Sequence, residues 1–130
     1  MNSIESVRNA ANALVNHFGS GSVTQYFSCF SADADFIFYT HPQRLRSRAE
    51  YEELWQSWEQ EFGFKVNSCK STNQSIRIIE DKLAIFTHDV TTSITNNAGS
   101  EILNERETIV FMHDGNSWIA IHEHLSPSAT

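Results

Sequence analysis

A chain of 130 residues, 40% hydrophobic and 19% charged, has the size and balance of one packed domain spanning 1–130 and excludes a disordered polymer. Its formal charge of −7 argues against a nucleic-acid partner, because phosphate binding needs a cationic stripe, and the one basic cluster (Arg44, Arg46, Arg48) runs at once into Glu50, Glu52 and Glu53. No apolar run approaches the ~20 residues of a membrane span, and the opening Met1-Asn2-Ser3-Ile4-Glu5 has neither a basic leader nor an apolar signal core, so a cytoplasmic chain without membrane contact is expected.

The first third reads as helix. Ile4, Val7, Ala11, Leu14 and Phe18 recur at steps of three and four, which puts them on one helical stripe, and Gly19-Ser20-Gly21 ends it. Ser22 is placed to cap a short second helix whose stripe is Val23, Tyr26, Phe27 and Phe30. Cys29 and Cys69 are expected to be reduced thiols. Asp35 to His41 is rich in strand formers and Pro42 stops it. Ser47 followed by Glu50 has the spacing of a capping box. The helix it opens carries Tyr51, Leu54, Trp55, Trp58 and Phe62 on one face and ends at Gly63.

Everything after Gly63 reads as β. Turn signals at Glu80-Asp81-Lys82, Asn96-Asn97-Ala98-Gly99 and Asp114-Gly115-Asn116 separate strands at roughly 64–79, 83–95, 101–113 and 117–126. Connections this short force an antiparallel meander, and strands this long must twist and bulge. Pro127 to Thr130 are expected to be loose. The predicted fold is α+β: a cone-shaped, curved antiparallel sheet, a half-barrel, with three helices of the N-terminal half packed on its concave face.

Symmetric pairing about the turns sets Asp89 opposite Arg106 and Arg106 opposite His124, with Thr87, Thr108 and His122 as the next row. The same face continues through Ile85, Val110 and Ala120 to Leu83, Met112 and Trp118. The other face carries Phe86, Val90, Ile109, Phe111, Ile119, Ile121 and Leu125. The half-polar face is assigned to the lumen and the uniformly apolar face to a homodimer interface on the outside of the sheet. Asp89, Arg106 and His124 then read either as a structural ion pair beside an imidazole or as a pocket wall. In a pocket wall Arg106 meets an anion or carbonyl and a histidine moves protons. His122 and His124 alone are too few for zinc, so no metal is expected. His41 reads as a pocket-mouth residue or a turn histidine. Trp55 and Trp58 read as core or as a ligand platform. With Tyr39 and Met112 they complete the candidate ligand-binding set.

The closing segments Arg106-Glu107-Thr108-Ile109-Val110-Phe111 and Trp118-Ile119-Ala120-Ile121-His122-Glu123-His124-Leu125-Ser126 carry an Arg-x-Thr, a turn, then Trp and a hydrophobic-His-x-His-x-Ser run. In this pattern the chain resembles the SnoaL-like branch of the nuclear transport factor 2-like superfamily. The resemblance implies a cone-shaped α+β barrel, usually dimeric, with a deep pocket. Its members include isomerases, dehydratases, cyclases, epoxide hydrolases and non-catalytic binding or association domains.

Two functions follow. One is a cofactor-independent isomerase, cyclase or hydrolase acting by acid–base catalysis, with His124 or His122 as base, Asp89 as partner and Arg106 stabilising negative charge. The other is a non-catalytic ligand-binding or association domain that uses the same pocket. Either takes a small-molecule ligand.

Overall fold

The computed structural model describes residues 3–128. The elements follow as α1 (Ile4–Gly19), α2 (Val23–Ser28), β1 (Phe30–Phe38), α3 (Arg48–Phe62), β2 (Lys65–Ile79), β3 (Leu83–Asn96), β4 (Gly99–His113) and β5 (Trp118–Pro127). Among the described residues, no helix is long and apolar enough to cross a membrane. Of the tail expected to be loose, Pro127 closes β5 and Ser128 donates its N–H to the Asn104 carbonyl at 3.0 Å. Ala129 and Thr130 lie outside the described residues, as do Met1 and Asn2 of the opening segment.

Each helix has a local reason to start and stop. Ser3 caps α1 in a capping box with Ser6, a contribution of about 1 kcal/mol. The stripe Val7, Ala11 and Leu14 is buried, whereas Ile4, expected on it, is 49% exposed. Ser22 stands at the N-cap of α2, but its hydroxyl pairs with Ser20 Oγ at 3.0 Å instead of capping the helix. Ser47 Oγ accepts the Glu50 N–H at 3.2 Å and so caps α3. The Glu50 carboxylate reaches one residue further back than a capping box requires, to the Arg46 N–H. Gly63 ends α3 at φ +61, and a Cβ there would sit 2.5 Å from Asn97 Oδ1.

The sheet order is β1-β5-β4-β3-β2, with β1 parallel to β5 and the other pairs antiparallel. The expected meander is therefore β2 to β5, and β1 extends it along the far edge of β5. β1 begins at Phe30, which the stripe had assigned to the second helix. The Ala120 N–H donates to the Cys29 carbonyl at 2.9 Å and Phe30 pairs with Ala120, so sheet pairing overrides the helical pattern. β1 ends at Phe38; the Tyr39–His41 stretch expected to be strand is a turn, closed by the His41 N–H on the Phe38 carbonyl.

The assignment of faces is overturned. Helices cover the face carrying Ala84, Phe86, Ile109, Phe111 and Ala120, all of which are buried. The physical reason is area: burial stabilises by about 25 cal/mol per Å² of apolar surface, so the aromatic-rich face takes the cover. The Asp89–Arg106 side of the sheet is the outer one. The β3–β4 register is as expected, with Asp89 opposite Arg106 and Thr87 opposite Thr108. The β4–β5 register is not. Arg106 faces Ser126, Thr108 faces His124 and Val110 faces His122, and the register shifts between Val110 and Phe111. That bulge at Ile121 sends Trp118 and Ala120 to the helix side and Ile119, opposite Met112, to the outside.

Candidate functional site

Between the helices and the concave face lies a cavity of about 500 Å³. Its floor comes from β3, β4 and β5 and its walls from α1, α2 and α3. Tyr26, Tyr51, Trp55, Trp58 and Phe64 pack edge-on and tilted around it, with ring centroids 5.1–6.4 Å apart in the neighbouring pairs. Such pairs contribute about 0.5–1.5 kcal/mol each beyond their area. Tyr26 and Tyr51 join hydroxyls at 2.9 Å in full burial, and burial holds both well above the ordinary tyrosine range.

The charged part of the cavity lining is carboxylic. Glu105, Glu107 and Glu123 project from β4 and β5 in phase with Ile109, Phe111 and Leu125. Glu123 is 3% exposed, and no donor of a described residue reaches its Oε1. Burial, then the charge of Glu107 and a hydrogen bond to it, then Glu105, hold Glu123 well above the usual carboxylate range. Burial also raises Glu105, against which the Tyr39 hydroxyl, donating to Oε2 at 2.6 Å, pulls it down. Desolvation, with Glu105 behind it, moves Tyr39 itself up to about 12. The Cys69 thiol on the wall is pushed up to about 11 by burial.

Behind Glu107 runs a hydrogen-bonded line. Gln74 Nε2 donates to Ser71 Oγ at 2.9 Å, Ser71 Oγ meets His88 Nδ1 at 2.6 Å, and His88 Nε2 meets Glu107 Oε1 at 2.8 Å. Opposite an ionised Glu107, which only accepts, Nε2 would carry the hydrogen and Nδ1 would accept from Ser71.

The residues singled out from the sequence divide between two places. Trp55 and Trp58 line the cavity, and Tyr39 stands at its mouth beside Phe62 and Glu101. His41 lies in the turn after β1, apart from the cavity lining. Asp89, Arg106, His124, Thr87 and Thr108 line a separate, open groove of about 380 Å³ on the outer face. There Asp89 accepts from Asn73 Nδ2 at 2.7 Å, and among the described residues it makes no ion pair with Arg106. His122 is bonded through Nδ1 to Asp35 at 2.8 Å, and Met112 is 40% exposed on the outer side. The expected row of a carboxylate, a guanidinium and an imidazole facing the lumen does not exist. Among the described residues, no group of three or more His, Cys, Asp or Glu is placed to hold a metal ion. The carboxylates and His88 were missed; their one sequence signal is alternation in step with buried apolar neighbours.

A half-barrel of three helices over an open curved sheet, enclosing a cavity, defines the class of protein. A family model described as a SnoaL-like domain matches residues 7–130, and the chain belongs to that family. No curated protein sequence matches it. Among solved structures it is similar to a nuclear transport factor 2-like protein from Prochlorococcus marinus, with TM-score 0.80 and 16% identity over 100% of this chain and 96% of that one. A ketosteroid isomerase-like protein from Erwinia carotovora is similar at TM-score 0.80 and 15% identity, over 98% and 97%. A putative calcium/calmodulin-dependent protein kinase II association domain from Xanthomonas campestris is similar at 0.80 and 15%, over 98% and 89%. At these identities the likeness shows the fold alone.

Proposed function

We propose that the chain is a small-molecule pocket protein in which Glu107 and Glu123 exchange protons with the ligand without a cofactor. The observation that carries this reading is a carboxyl pair on a cavity wall, one member fully desolvated and the other tethered to a buried histidine. Two carboxyls whose surroundings pull their protonation apart supply an acid and a base in one site. His88, oriented by Ser71, holds Glu107 in place. Arg106 and His124, the sequence-based candidates for this work, have no part in it. In the same reading, two copies of the chain pair through the outer sheet face.

The test is proton exchange on 2-tetralone, a bicyclic ketone with acidic hydrogens beside its carbonyl. Glu107 takes a proton from that carbon while Glu123 gives its own to the carbonyl oxygen. Glu107 then exchanges that proton for deuterium from the solvent, and in the reverse step it returns deuterium to carbon while Glu123 takes the enol hydrogen back. In D₂O at neutral pH the protein is expected to speed exchange above buffer alone, and Glu107→Gln and Glu123→Gln each to slow it by about 100-fold. Binding seen in the tryptophan resonances without faster exchange leaves a pocket that only binds. No binding at all ends the pocket reading.

A further inference from the structure

The cavity wall is chemically one-sided. Glu105 and Glu123 are buried in it and Glu101 stands at its rim, and no Lys, Arg or His is among the described residues that line it. Glu123 is 97% buried by its 3% exposure, and no described residue gives a donor to its Oε1. An acceptor held that far from water is costly until a donor fills it. Of the hydroxyls nearby, Tyr39 donates to Glu105 at 2.6 Å, and Tyr26 and Tyr51 share one hydrogen bond at 2.9 Å that uses one of their two hydroxyl hydrogens. A ligand that brings its own donors would fill that acceptor. The remaining wall mixes aliphatic and neutral polar side chains with aromatic rings, Trp55 and Trp58 among them, and ring faces attract cations.

We infer that the occupant of this cavity is a small organic amine, bound as its ammonium ion against Glu105 and Glu123, with its apolar body among the aromatic rings. This rests on reading the cavity as a small-molecule site and adds the charge of the ligand. An ammonium supplies several donors at once, enough for Oε1 of Glu123 and for the second carboxyl. An alcohol supplies one. A carboxylate ligand supplies none and meets only like charge. The formal charge of −7 adds long-range attraction for cations.

Three probes of matched size test this by titration calorimetry at neutral pH and moderate salt: 2-(1-naphthyl)ethylamine, 2-(1-naphthyl)ethanol and 1-naphthylacetate. The amine is expected to bind at least about tenfold tighter than the alcohol, with the acetate weakest. In a Glu105→Gln, Glu123→Gln double variant that ratio should fall to about threefold or less. The ratio in the parent protein decides the matter even if the double variant fails to fold. An alcohol that binds as tightly as the amine, or an acetate that binds more tightly, overturns the amine and leaves the pocket standing. If none of the three binds, the small-molecule reading falls and the amine with it.

Discussion

Glu123 is a carboxyl in a place where no charge is welcome. Tyr26 and Tyr51 press on it from α2 and α3, Glu105 and Glu107 face it from β4, and none of these groups brings a positive charge. Its raised pKa has a defined signature in stability. Below the ordinary value of 4.5, folded and unfolded chains both hold the proton and the contribution is fully present. As the pH rises past that value the unfolded chain ionises and gains, while the folded chain keeps its proton. Stability is lost until the pH reaches the folded pKa. Glutamine has the same shape and cannot ionise. Glu123→Gln is therefore expected to melt close to the parent at pH 4 and above it by about 3 °C or more at pH 8. Thermal melts followed by circular dichroism across pH 4–8 measure this. Parallel curves would mean that Glu123 ionises freely in the folded chain.

At the scale of elements, α1 meets β2 closely at Gly19. A Cβ at Gly19 would lie 2.9 Å from the Cys69 backbone nitrogen and 3.2 Å from its Cβ. Alanine in a helix is favoured over glycine by up to about 1 kcal/mol, whereas overpacking against fixed backbone costs about 1–3 kcal/mol. The clash wins, and Gly19→Ala is expected to destabilise by about 1 kcal/mol in urea unfolding. An unchanged or raised midpoint would show that α1 slides freely on the sheet. The same elements show what the sequence could carry. Ser47, Gly63 and the turn at Asn96–Gly99 are local signals, and the third helix and the β3–β4 register follow them closely. The lumen was not readable in that way, because both faces of β3 and β4 carry apolar residues and only the cover of the helices decides between them, and on β5 one extra residue adds a reversal of its own. Ile121 bulges out of β5 and reverses the facing of Trp118, Ile119 and Ala120. The carboxylates were hidden for another reason. Glu105, Glu107 and Glu123 carry the charge of surface residues, and only the helices packed above them reveal that they are inside.

At the scale of the whole molecule, the sheet has one face under helices and one under none. The bare face is graded: Leu83, Ile85, Val110, Met112 and Ile119 form its apolar end, and Asp89, Arg106 and His124 its polar end. Because the polar end holds both signs of charge, a twofold arrangement can set Arg106 of one copy toward Asp89 of another while the apolar ends meet. A second copy of this chain is therefore the proposed partner, and its mass is the measurement. Size-exclusion chromatography with light scattering is expected to give twice the 14.8 kDa of the chain. Two copies each at −7 repel, so the dimer should dissociate more readily at 10 mM salt than at 150 mM, where the screening length is about 8 Å. Met112→Lys puts a charge into the apolar end and is expected to yield a monomer with an unchanged circular dichroism spectrum. A parent that runs as a monomer at 150 mM salt and high micromolar concentration would mean that the outer face meets only water.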